Sequence, residues 1–329
     1  MIRTLFSNHK EICPMDEQYS KIMQSALSEN TRLAYQKGWQ RFEQFCHYKF
    51  LKALPAAPST VIDFLITHAT QPVGRNGNPL SMGTVSLYSS AINHKHIHSG
   101  FASPGSHPEV IMALRGLMRV CGTKVRRVEA LREHQVLKML KLCPKTPIGI
   151  RDAALLAIIF AGALRRSEAC GLCAEDIRII KSRNSRTPSG MFIYIRKSKT
   201  DQEGRGQKIA IPPGKRIKPI QRVCEWLRVS GIKSGYLFQT MKRGGGLRGN
   251  PLHHSDIPRL VKHYGKLIGL DPKNIAGHSL RAGFVTSAAA HNARLDKIME
   301  VTRHTNPTTV LKYIRDADAF TQHAGDDFL

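Results

Sequence analysis

The sequence lacks the features of a membrane, exported or disulfide-linked protein. Its longest apolar run, Ala153–Leu164, is 12 residues long, whereas a membrane-spanning helix needs about 20. The first 18 residues are charged throughout and contain no hydrophobic stretch ahead of a cleavage site. The 7 cysteines are an odd number scattered over a long chain, which favours reduced thiols over a disulfide framework. We therefore expect a cytoplasmic protein without a membrane anchor.

Acidic residues are also scarce, and this scarcity predicts the kind of partner. The chain has 24 Asp and Glu against 50 Lys and Arg, a formal net charge of +26. Beyond residue 120 there are 38 basic and 17 acidic residues, against 12 and 7 before it. A charge of this size predicts an anionic polymer as partner, either nucleic acid or an acidic membrane surface. Because 41% of the residues are hydrophobic, the chain can form packed cores rather than remain disordered.

Length and hydrophobic pattern predict two mainly helical domains joined by a basic linker. Residues 1–120 form the first, a compact helical domain, and residues 132–329 form the second. Residues 121–131 interrupt the apolar pattern. They carry three cations that suit a chain crossing a phosphate backbone, although solvation alone also explains them: Lys124, Arg126 and Arg127.

The second domain contains a small sheet. Strands over 191–200 and 207–212 flank a segment rich in glycine and charge, and this pattern predicts a β-hairpin. The rest of the chain reads as helices, so the predicted fold class is mainly α with a small antiparallel sheet. The helices are predicted after Ser28 or Asn30, after Pro58, and over 81–98, 108–120, 132–142, 151–164, 217–229, 255–268, 279–291, 295–302 and 308–317.

Three patterns resemble ligand sites but are better explained by structure. Gly244–Gly249 matches G-x-G-x-x-G literally, yet no helix starts within it, so we interpret it as a flexible loop. His94, His96 and His98 diverge by about 200° per two-residue step on a helix and are interpreted as surface and packing residues. Cys170–Cys173 is a C-x-x-C without a second pair, so we expect packing thiols and no metal site.

Four features of the second domain together suit chemistry on a DNA phosphate. Arginines can hold the charge of a pentavalent phosphorane, a tyrosine can attack if a base accepts its proton, and a lysine or histidine can protonate the leaving oxygen. An arginine and a glutamate at the end of a core helix are, taken alone, more typical of a surface charge pair. The features are Arg165 with Glu168, Lys199, His278 with Arg281, and His304 with Tyr313.

This array resembles the tyrosine site-specific recombinases, the Cre, Xer and phage-integrase family. The similarity extends over nearly the whole chain, since Asn30-Thr31-Arg32 through Phe42 is similar to the opening helix of the family's core-binding domain. Any one of the motifs occurs by chance in many proteins, but six elements in the family's order and spacing are specific. One departure is Arg303, which stands where the family usually has glycine.

The resemblance implies a role for each residue of the array. Arg165 and Arg281 would bind the scissile phosphate, and His304 would hydrogen-bond it. Lys199 would protonate the leaving 5′-oxygen, and His278 would act as general acid and base beside the nucleophile, Tyr313. Glu168 would support the site without reacting. Tyr35 and Tyr264 lack the family spacing and are interpreted as core residues.

The expected DNA-reading residues are basic side chains on helices. The helix over 255–268 has an apolar face and a basic stripe, Arg259, Lys262 and Lys266, which a solvated helix would also display. In the family this helix enters the major groove, where Arg259 would read guanine and the lysines would contact phosphates. The weaker candidates in the first domain are Arg32, Lys37, Arg41 and Lys95.

The resemblance implies a two-domain clamp around duplex DNA that recombines specific sites of a mobile element from a bacterium or phage. It implies a homotetramer, strand exchange through a Holliday junction, and no metal, ATP or other cofactor. The last twelve residues, 318–329, would dock on a neighbouring subunit through Phe320 and Phe328–Leu329. Two alternatives stay open: a type IB topoisomerase that relaxes DNA, and a DNA-binding regulator that no longer cleaves. The target sequence and any accessory protein do not follow from the chain.

Overall fold

The computed structural model of the chain describes residues 26–74, 77–122, 128–181, 188–196, 206–242 and 245–315. Backbone contacts divide the chain into two compact units, Met1–Val125 and Arg126–Leu329. Among the described residues, no helix is long and apolar enough to cross a membrane.

The described part of the first unit is built from α-helices around one core. The helices are α1 Glu29–Tyr48, α2 Pro58–Thr70, α3 Met82–His98 and α4 Pro108–Val120. The α1 helix begins where the Ser28 hydroxyl accepts a hydrogen bond from the Thr31 N–H, at 3.3 Å. Phe42, Phe64 and Ile92 come from three helices and are fully buried together. The sequence therefore predicted this helical unit correctly.

His96 has the packing role that the sequence predicted. Its side chain is buried, Nδ1 lies 2.8 Å from the Ile92 carbonyl oxygen, and Nε2 accepts the Ala56 N–H at 2.9 Å. The rings of His94 and His98 contact each other at an angle of 40°, with centroids 4.1 Å apart. All the ring nitrogens of His96 are thus used within the fold.

In the described part of the second unit, a buried helix is surrounded by helices and two small antiparallel sheets. Its helices are α5 Glu133–Leu142, α6 Pro147–Ala161, α7 Arg166–Gly171, α8 Pro219–Ser230, α9 Asp256–Leu267, α10 Ser279–Ala290, α11 Leu295–Thr302 and α12 Pro307–Arg315. Its strands are β1 Ile177–Lys181, β2 Pro188–Ile195, β3 Gln207–Ile211, β4 Gln239–Met241 and β5 Leu247–Pro251. The fold class is therefore mainly α with small antiparallel sheets, as predicted.

The three-stranded sheet has the order β1-β2-β3 and buries one face. Ile193 pairs with Ile209 across β2 and β3, and both side chains are buried. Met191, Ile193 and Ile195 alternate with more exposed residues, as expected for a strand with one covered face. The described parts of the two predicted strands are thus confirmed.

Some local predictions were wrong. The flexible-loop interpretation of Gly244–Gly249 fails at its end, because Leu247–Pro251 forms β5 and the Gln239 side chain accepts the Gly249 N–H at 3.0 Å. Strand β1 was not predicted. Helix α6 begins one turn earlier than expected, because the Thr146 side chain accepts the Gly149 N–H and caps it.

The helix α10, which carries Arg281 and is preceded by His278, is held closely by the chain segment at the start of α5. The Leu131 N–H donates to the Ser279 carbonyl oxygen at 2.9 Å, and the Glu133 N–H donates to the Ser287 hydroxyl at 3.0 Å. A methyl group at Gly283 would lie 1.7 Å from the Leu131 carbonyl oxygen. Only glycine fits there, so the start of α10 has a fixed position relative to the core.

Candidate active site

Arg281 lies in the first turn of α10 and is buried, with 1% of its surface exposed. Its Nη1 donates to the Ala163 carbonyl oxygen at 2.5 Å, and its Nη2 donates to the Thr302 carbonyl oxygen. Burial of a cation is unfavourable unless hydrogen-bond acceptors surround it. These acceptors come from the turn after α6 and the end of α11, so the arginine fixes three elements around one positive charge.

Arg165 is held by a buried carboxylate at the start of α7. Glu168 accepts the Arg165 backbone N–H at 2.7 Å with Oε2 and the Arg165 Nη1–H at 2.7 Å with Oε1. The Glu168 side chain is fully buried, whereas 18% of the Arg165 side chain is exposed. The buried Glu168 carboxylate thus orients the Arg165 guanidinium, which is still accessible to an anion. This supports the positioning role expected for Glu168.

His304 is a neutral imidazole whose tautomer follows from its partners. Arg281 has no acceptor, so His304 Nε2 must accept from Arg281 Nη2, 3.1 Å away. Nδ1 then carries the proton and donates to the Thr302 hydroxyl at 2.9 Å, and this hydroxyl donates to the Ile298 carbonyl oxygen. Burial and the charges of Arg281 and Arg165 lower the pKa of His304 to about 4, so the ring is uncharged at neutral pH.

Tyr313 and His278 form the pair that the sequence placed at the chemical centre. The Tyr313 hydroxyl on α12 lies 2.9 Å from His278 Nε2 at the start of α10. The tyrosine ring packs in a small cluster with Val285, Ile298 and Val310. Packing fixes the ring while the hydroxyl reaches a basic nitrogen, which is the arrangement needed to remove its proton.

The pKa values of this pair favour a neutral histidine and a protonated tyrosine in the free protein. Withdrawal of the ring from water and the charges of Arg281 and Arg165 lower the pKa of His278. Burial raises the pKa of Tyr313, and the charge of Arg281 acts in the opposite direction. Removal of the tyrosine's proton would therefore need a base, and the charge of Arg281 would favour a phenolate at this position.

The pKa of Arg281 is lowered to about 9 by burial and by the neighbouring charges of Arg165 and Arg303, and Glu168 acts to raise it. It still carries its charge at neutral pH. An anion bound at this point would relieve the repulsion among the guanidinium groups. The electrostatics of the site therefore favour binding of an anion.

Arg303 is the residue of this site that the sequence prediction missed. Its Nη2 donates to Glu168 Oε2 at 2.6 Å, so the carboxylate is shared between two arginines. The backbone at Arg303 has φ of 57°, the left-handed conformation that the family's usual glycine adopts easily. The turn before His304 therefore forms despite the substitution. The only sequence signal was an arginine where glycine is usual.

An open depression of about 340 Å³ lies beside His304 and Arg303. Gln207 and Lys208, at the beginning of β3, form another part of its lining. The predicted Lys199 falls in 197–205, outside the described residues. The predicted linker cations Lys124, Arg126 and Arg127 and the tail over 318–329 also lie outside them.

Among the candidate DNA-reading residues, the helix α9 keeps its basic stripe accessible. Arg259, Lys262 and Lys266 are all exposed, and Arg259 Nη1 donates to Asp256 Oδ1 at 3.0 Å. Ile257, Val261 and Tyr264 face the core, as predicted, but Leu267 is 54% exposed because the helix ends there.

The four candidates of the first unit differ in accessibility. Arg32 and Lys37 are exposed on α1. Arg41 is used inside the unit, where Nη2 donates to the Val73 carbonyl oxygen at 2.9 Å and Nε donates to His68 Nε2 at 3.3 Å. Lys95 is half-buried, with Nζ 5.8 Å from the centre of the Trp39 ring.

Two other side chains of reactive types, Tyr264 and Cys170, are buried within the fold. Tyr264 is buried and donates to Asp152 Oδ2 at 3.2 Å, which fits its interpretation as a core residue. Cys170 is buried, and burial raises the pKa of its thiol to about 11, so it is protonated at neutral pH. Within the described ranges, no group of three or more His, Cys, Asp or Glu could hold a metal ion.

Comparison with known proteins assigns the family. Residues 129–319 match the model of the phage integrase family. The chain is 33% identical to an integrase/recombinase xerD homolog of Selenomonas ruminantium over 308 residues, which is 92% of this chain and 86% of that protein. It is 23% identical to tyrosine recombinase XerD of Proteus mirabilis over 297 residues, 88% of this chain and 84% of that protein.

Solved structures agree with this family at the level of the fold. A lambda integrase (residues 75–356) dimer bound to a COC′ core site aligns with a TM-score of 0.59 and 16% identity, over 93% of this chain and 95% of that one. The Tn1549 transposon integrase in complex with circular intermediate DNA aligns with a TM-score of 0.58 and 18% identity, over 93% and 98%. The chain therefore belongs to the phage integrase family of tyrosine recombinases.

Proposed function

We propose that this protein is a site-specific DNA recombinase in which Tyr313 attacks the scissile phosphate and forms a 3′-phosphotyrosine. The observation that carries the proposal is the 2.9 Å contact between the Tyr313 hydroxyl and His278 Nε2, beside the buried Arg281. A nucleophile, a base and a fixed cation are together, which is the minimum that phosphoryl transfer to a side chain requires.

In the first step the Tyr313 hydroxyl transfers its proton to His278 Nε2 while its oxygen bonds to phosphorus. The bond between phosphorus and the 5′-oxygen breaks, and this oxygen takes a proton as it leaves. We assign that proton to Lys199. Support comes from β3, whose first residues follow the segment of Lys199 and line the same depression as His304. Attack by a 5′-hydroxyl from another strand reverses the steps and rejoins the DNA.

Arg165 and Arg281 would bind the non-bridging oxygens of the scissile phosphate. Both guanidinium groups are already held by protein acceptors, so little reorganisation is needed when charge develops on the phosphorane. Each such donor typically contributes a factor of about 10²–10³ to the rate. Glu168 would act only by orienting Arg165.

His304 would hydrogen-bond the phosphate after a change in its own protonation. In the free protein Nε2 accepts from Arg281 and has no hydrogen to donate. An arriving phosphate would accept from Arg281 instead, and its negative charge would raise the pKa of His304. The ring could then donate Nε2–H to the phosphate. We therefore expect the histidine to change its partner when DNA binds.

The two units would form a clamp on duplex DNA. We assign residues 1–120 to the core-binding domain, 121–131 to a linker and 132–329 to the catalytic domain. Support comes from the exposed basic stripe of α9, Arg259, Lys262 and Lys266, and from Arg32 and Lys37 on α1. Lys124, Arg126 and Arg127 would contact phosphates as the linker crosses the backbone.

Recombination between two duplexes requires four cleaved strands, and each cleavage uses one tyrosine. We therefore propose a homotetramer that exchanges strands in sequence through a Holliday junction. The segment over 318–329 would link neighbouring subunits. The nucleophile, the base and the phosphate-binding groups are all side chains, so the proposed reaction needs no metal, nucleotide or other cofactor.

The two alternative functions make different demands on the site. A regulator that no longer cleaves DNA would have no need for a tyrosine held against a neutral histidine. A topoisomerase of type IB would relax plasmids of any sequence. Relaxation of a plasmid without a selected site would favour that alternative over a recombinase.

The direct experiment is covalent capture of DNA. Wild-type protein is incubated with duplexes selected by its own binding from a randomised library, and DNA attached to protein is recovered under denaturing conditions. Sequencing of the attached ends should return one scissile position in one sequence. Recovery of ends at unrelated sequences would contradict site specificity, and recovery of none would contradict cleavage.

A further inference from the structure

Arg303 occupies a position that is unfavourable for an arginine in two respects. Its backbone φ is 57°, a conformation that costs energy for residues with a side chain and favours glycine. It is also buried, with 8% of its surface exposed, and burial lowers the pKa of its guanidinium. Hydrogen bonds of its two terminal nitrogens offset part of this cost, whereas Nε is buried without a partner among the described residues.

The contacts of this guanidinium are numerous and come from separate elements. Nη2 donates to Glu168 Oε2 at 2.6 Å on α7. Nη1 donates to the Val301 carbonyl oxygen at 3.0 Å on α11 and to the Gly162 carbonyl oxygen at 3.2 Å in the turn after α6. Nη2 also lies 3.5 Å from the Ala163 carbonyl oxygen.

The same acceptors hold the proposed phosphate-binding residues. Glu168 orients Arg165, and the Ala163 carbonyl oxygen accepts from Arg281. The next residue in the chain is His304. One side chain therefore contacts the supports of both arginines that would bind the scissile phosphate, and it adjoins His304 in the chain.

The charge of Arg303 also changes what the buried carboxylate does. Glu168 is fully buried, so its charge is strongly felt by its neighbours. With a glycine at 303, this carboxylate would have Arg165 as its partner cation and would draw that guanidinium away from a phosphate. With Arg303 present, two guanidinium groups share the carboxylate, one at each oxygen.

We propose that Arg303 is a positioning residue that shares the charge of Glu168 and thereby leaves Arg165 available to the scissile phosphate. It also fixes the turn against which Arg281 is hydrogen-bonded. This inference rests on the function proposed above, because the phosphate is the ligand of that reaction.

The test uses full-length Arg303→Gly and Arg303→Lys with the duplex that the wild type selects from a randomised library. Glycine suits the backbone at this position, so the first variant removes the side chain without adding strain. The matched control is Asn292→Gly, because Asn292 has φ of 55°, is exposed and lies outside the site.

We expect Arg303→Gly to form the covalent adduct about 10- to 100-fold more slowly, the usual effect of removing a partner behind a liganding group. Duplex affinity should stay within about 3-fold, because many other cations hold the backbone. Arg303→Lys should recover part of the rate, and Asn292→Gly should match the wild type. If the wild type forms no adduct, the proposed function fails. If the wild type and Arg303→Gly cleave equally fast, only this inference fails.

A second substrate separates this electrostatic role from a purely structural one. A methylphosphonate at the scissile position replaces one charged oxygen by a methyl group. If Arg303 acts through the phosphate charge, the ratio of wild-type to Arg303→Gly rates should shrink at least about 5-fold on this substrate. The same ratio on both substrates would overturn the proposal. If thermal melting shows that Arg303→Gly is unfolded, the ratio of wild-type to Arg303→Lys rates is compared on the two substrates instead, and an equal ratio would again overturn the proposal.

Discussion

Arg281 allows the most quantitative prediction, because its removal should affect cleavage, binding and folding by different amounts. The arginine donates to the carbonyl oxygens of Ala163 and Thr302 and to His304 Nε2. In Arg281→Ala all three acceptors lose their donor. In Arg281→Lys the charge remains, but one ammonium group replaces a planar fork and cannot satisfy the same set of acceptors.

The magnitudes follow from these contacts. Loss of one fixed donor to the phosphorane should slow cleavage by about 10²–10³, or about 2.7–4 kcal/mol. The buried Thr302 carbonyl oxygen would lose its arginine donor, and the Ala163 carbonyl oxygen would keep only the 3.5 Å contact with Arg303 Nη2. Each loss would cost at most about 1–3 kcal/mol of folding free energy, offset in part because a buried cation is removed. Arg281→Ala should therefore melt at lower temperature. Arg281→Lys should remain closer to the wild type in stability but still cleave about 10²-fold more slowly.

The assay measures adduct formation on a nicked duplex that traps the covalent intermediate, with binding and thermal melting measured in parallel. Half-site affinity should fall much less than the cleavage rate, because the charge of the rest of the chain holds the DNA. A loss of binding as large as the loss of cleavage would show that Arg281 only anchors DNA. Cleavage by Arg281→Lys within about 3-fold of the wild type would show that the positive charge of Arg281, and not the geometry of its donors, determines the rate.

Three further predictions concern the acid, the base and the tail. Lys199→Ala should cleave slowly on ordinary DNA but at a nearly normal rate on a 5′-phosphorothiolate, because a sulfur leaving group needs little protonation; equal loss on both substrates would exclude this role. The pKa of His278 lies below its usual value, so the ring stays neutral from neutral pH down to that lowered pKa, and cleavage should fall only at more acidic pH. Arg166→Gln removes one of the charges that lower this pKa and should move the acid limb of the pH–rate profile upward, and an unmoved limb would argue against His278 as the base. Deletion of residues 318–329 should preserve half-site binding but abolish cooperative binding to the full site, which unchanged cooperativity in a gel-shift titration would contradict.

The helices were predictable because their signals are local. Ser28 caps α1, proline begins α2 and α4, and spacings of three and four residues place Phe42 and Cys46 on one buried face. These features act within one or two turns, and a single sequence contains them completely. The pairs Arg165–Glu168 and His278–Arg281 were likewise predictable from their three-residue spacing and from the family resemblance.

The remaining features depend on partners far away in the sequence. Arg41 looked like a free basic residue on a helix, but its acceptors are His68 and the Val73 carbonyl oxygen, which only the fold brings close. Strand β1 was missed because five residues become a strand only by pairing with β2.

Arg303 is the clearest case of a role that the sequence alone does not reveal. Its spacing to His304 places it at the turn but gives no reason for a positive charge there. The reason is Glu168, which lies 135 residues earlier in the chain and meets it at 2.6 Å. A resemblance to a family that usually has glycine at this point conceals that contact.

The claim that Tyr313 is the nucleophile can be tested by mass spectrometry of the trapped adduct. The adduct trapped on a nicked duplex is digested with protease and nuclease, and the modified peptide is identified by mass spectrometry, with Tyr313→Phe as the matched variant. If Tyr313 is the nucleophile, a nucleotide is joined to it through the 3′-phosphate, the other DNA end has a free 5′-hydroxyl, and the variant forms no adduct. The variant should still bind DNA, because the ring and its packing against Val310 remain. An adduct on another residue, a 5′-linked adduct, or an adduct formed by Tyr313→Phe would contradict the claim.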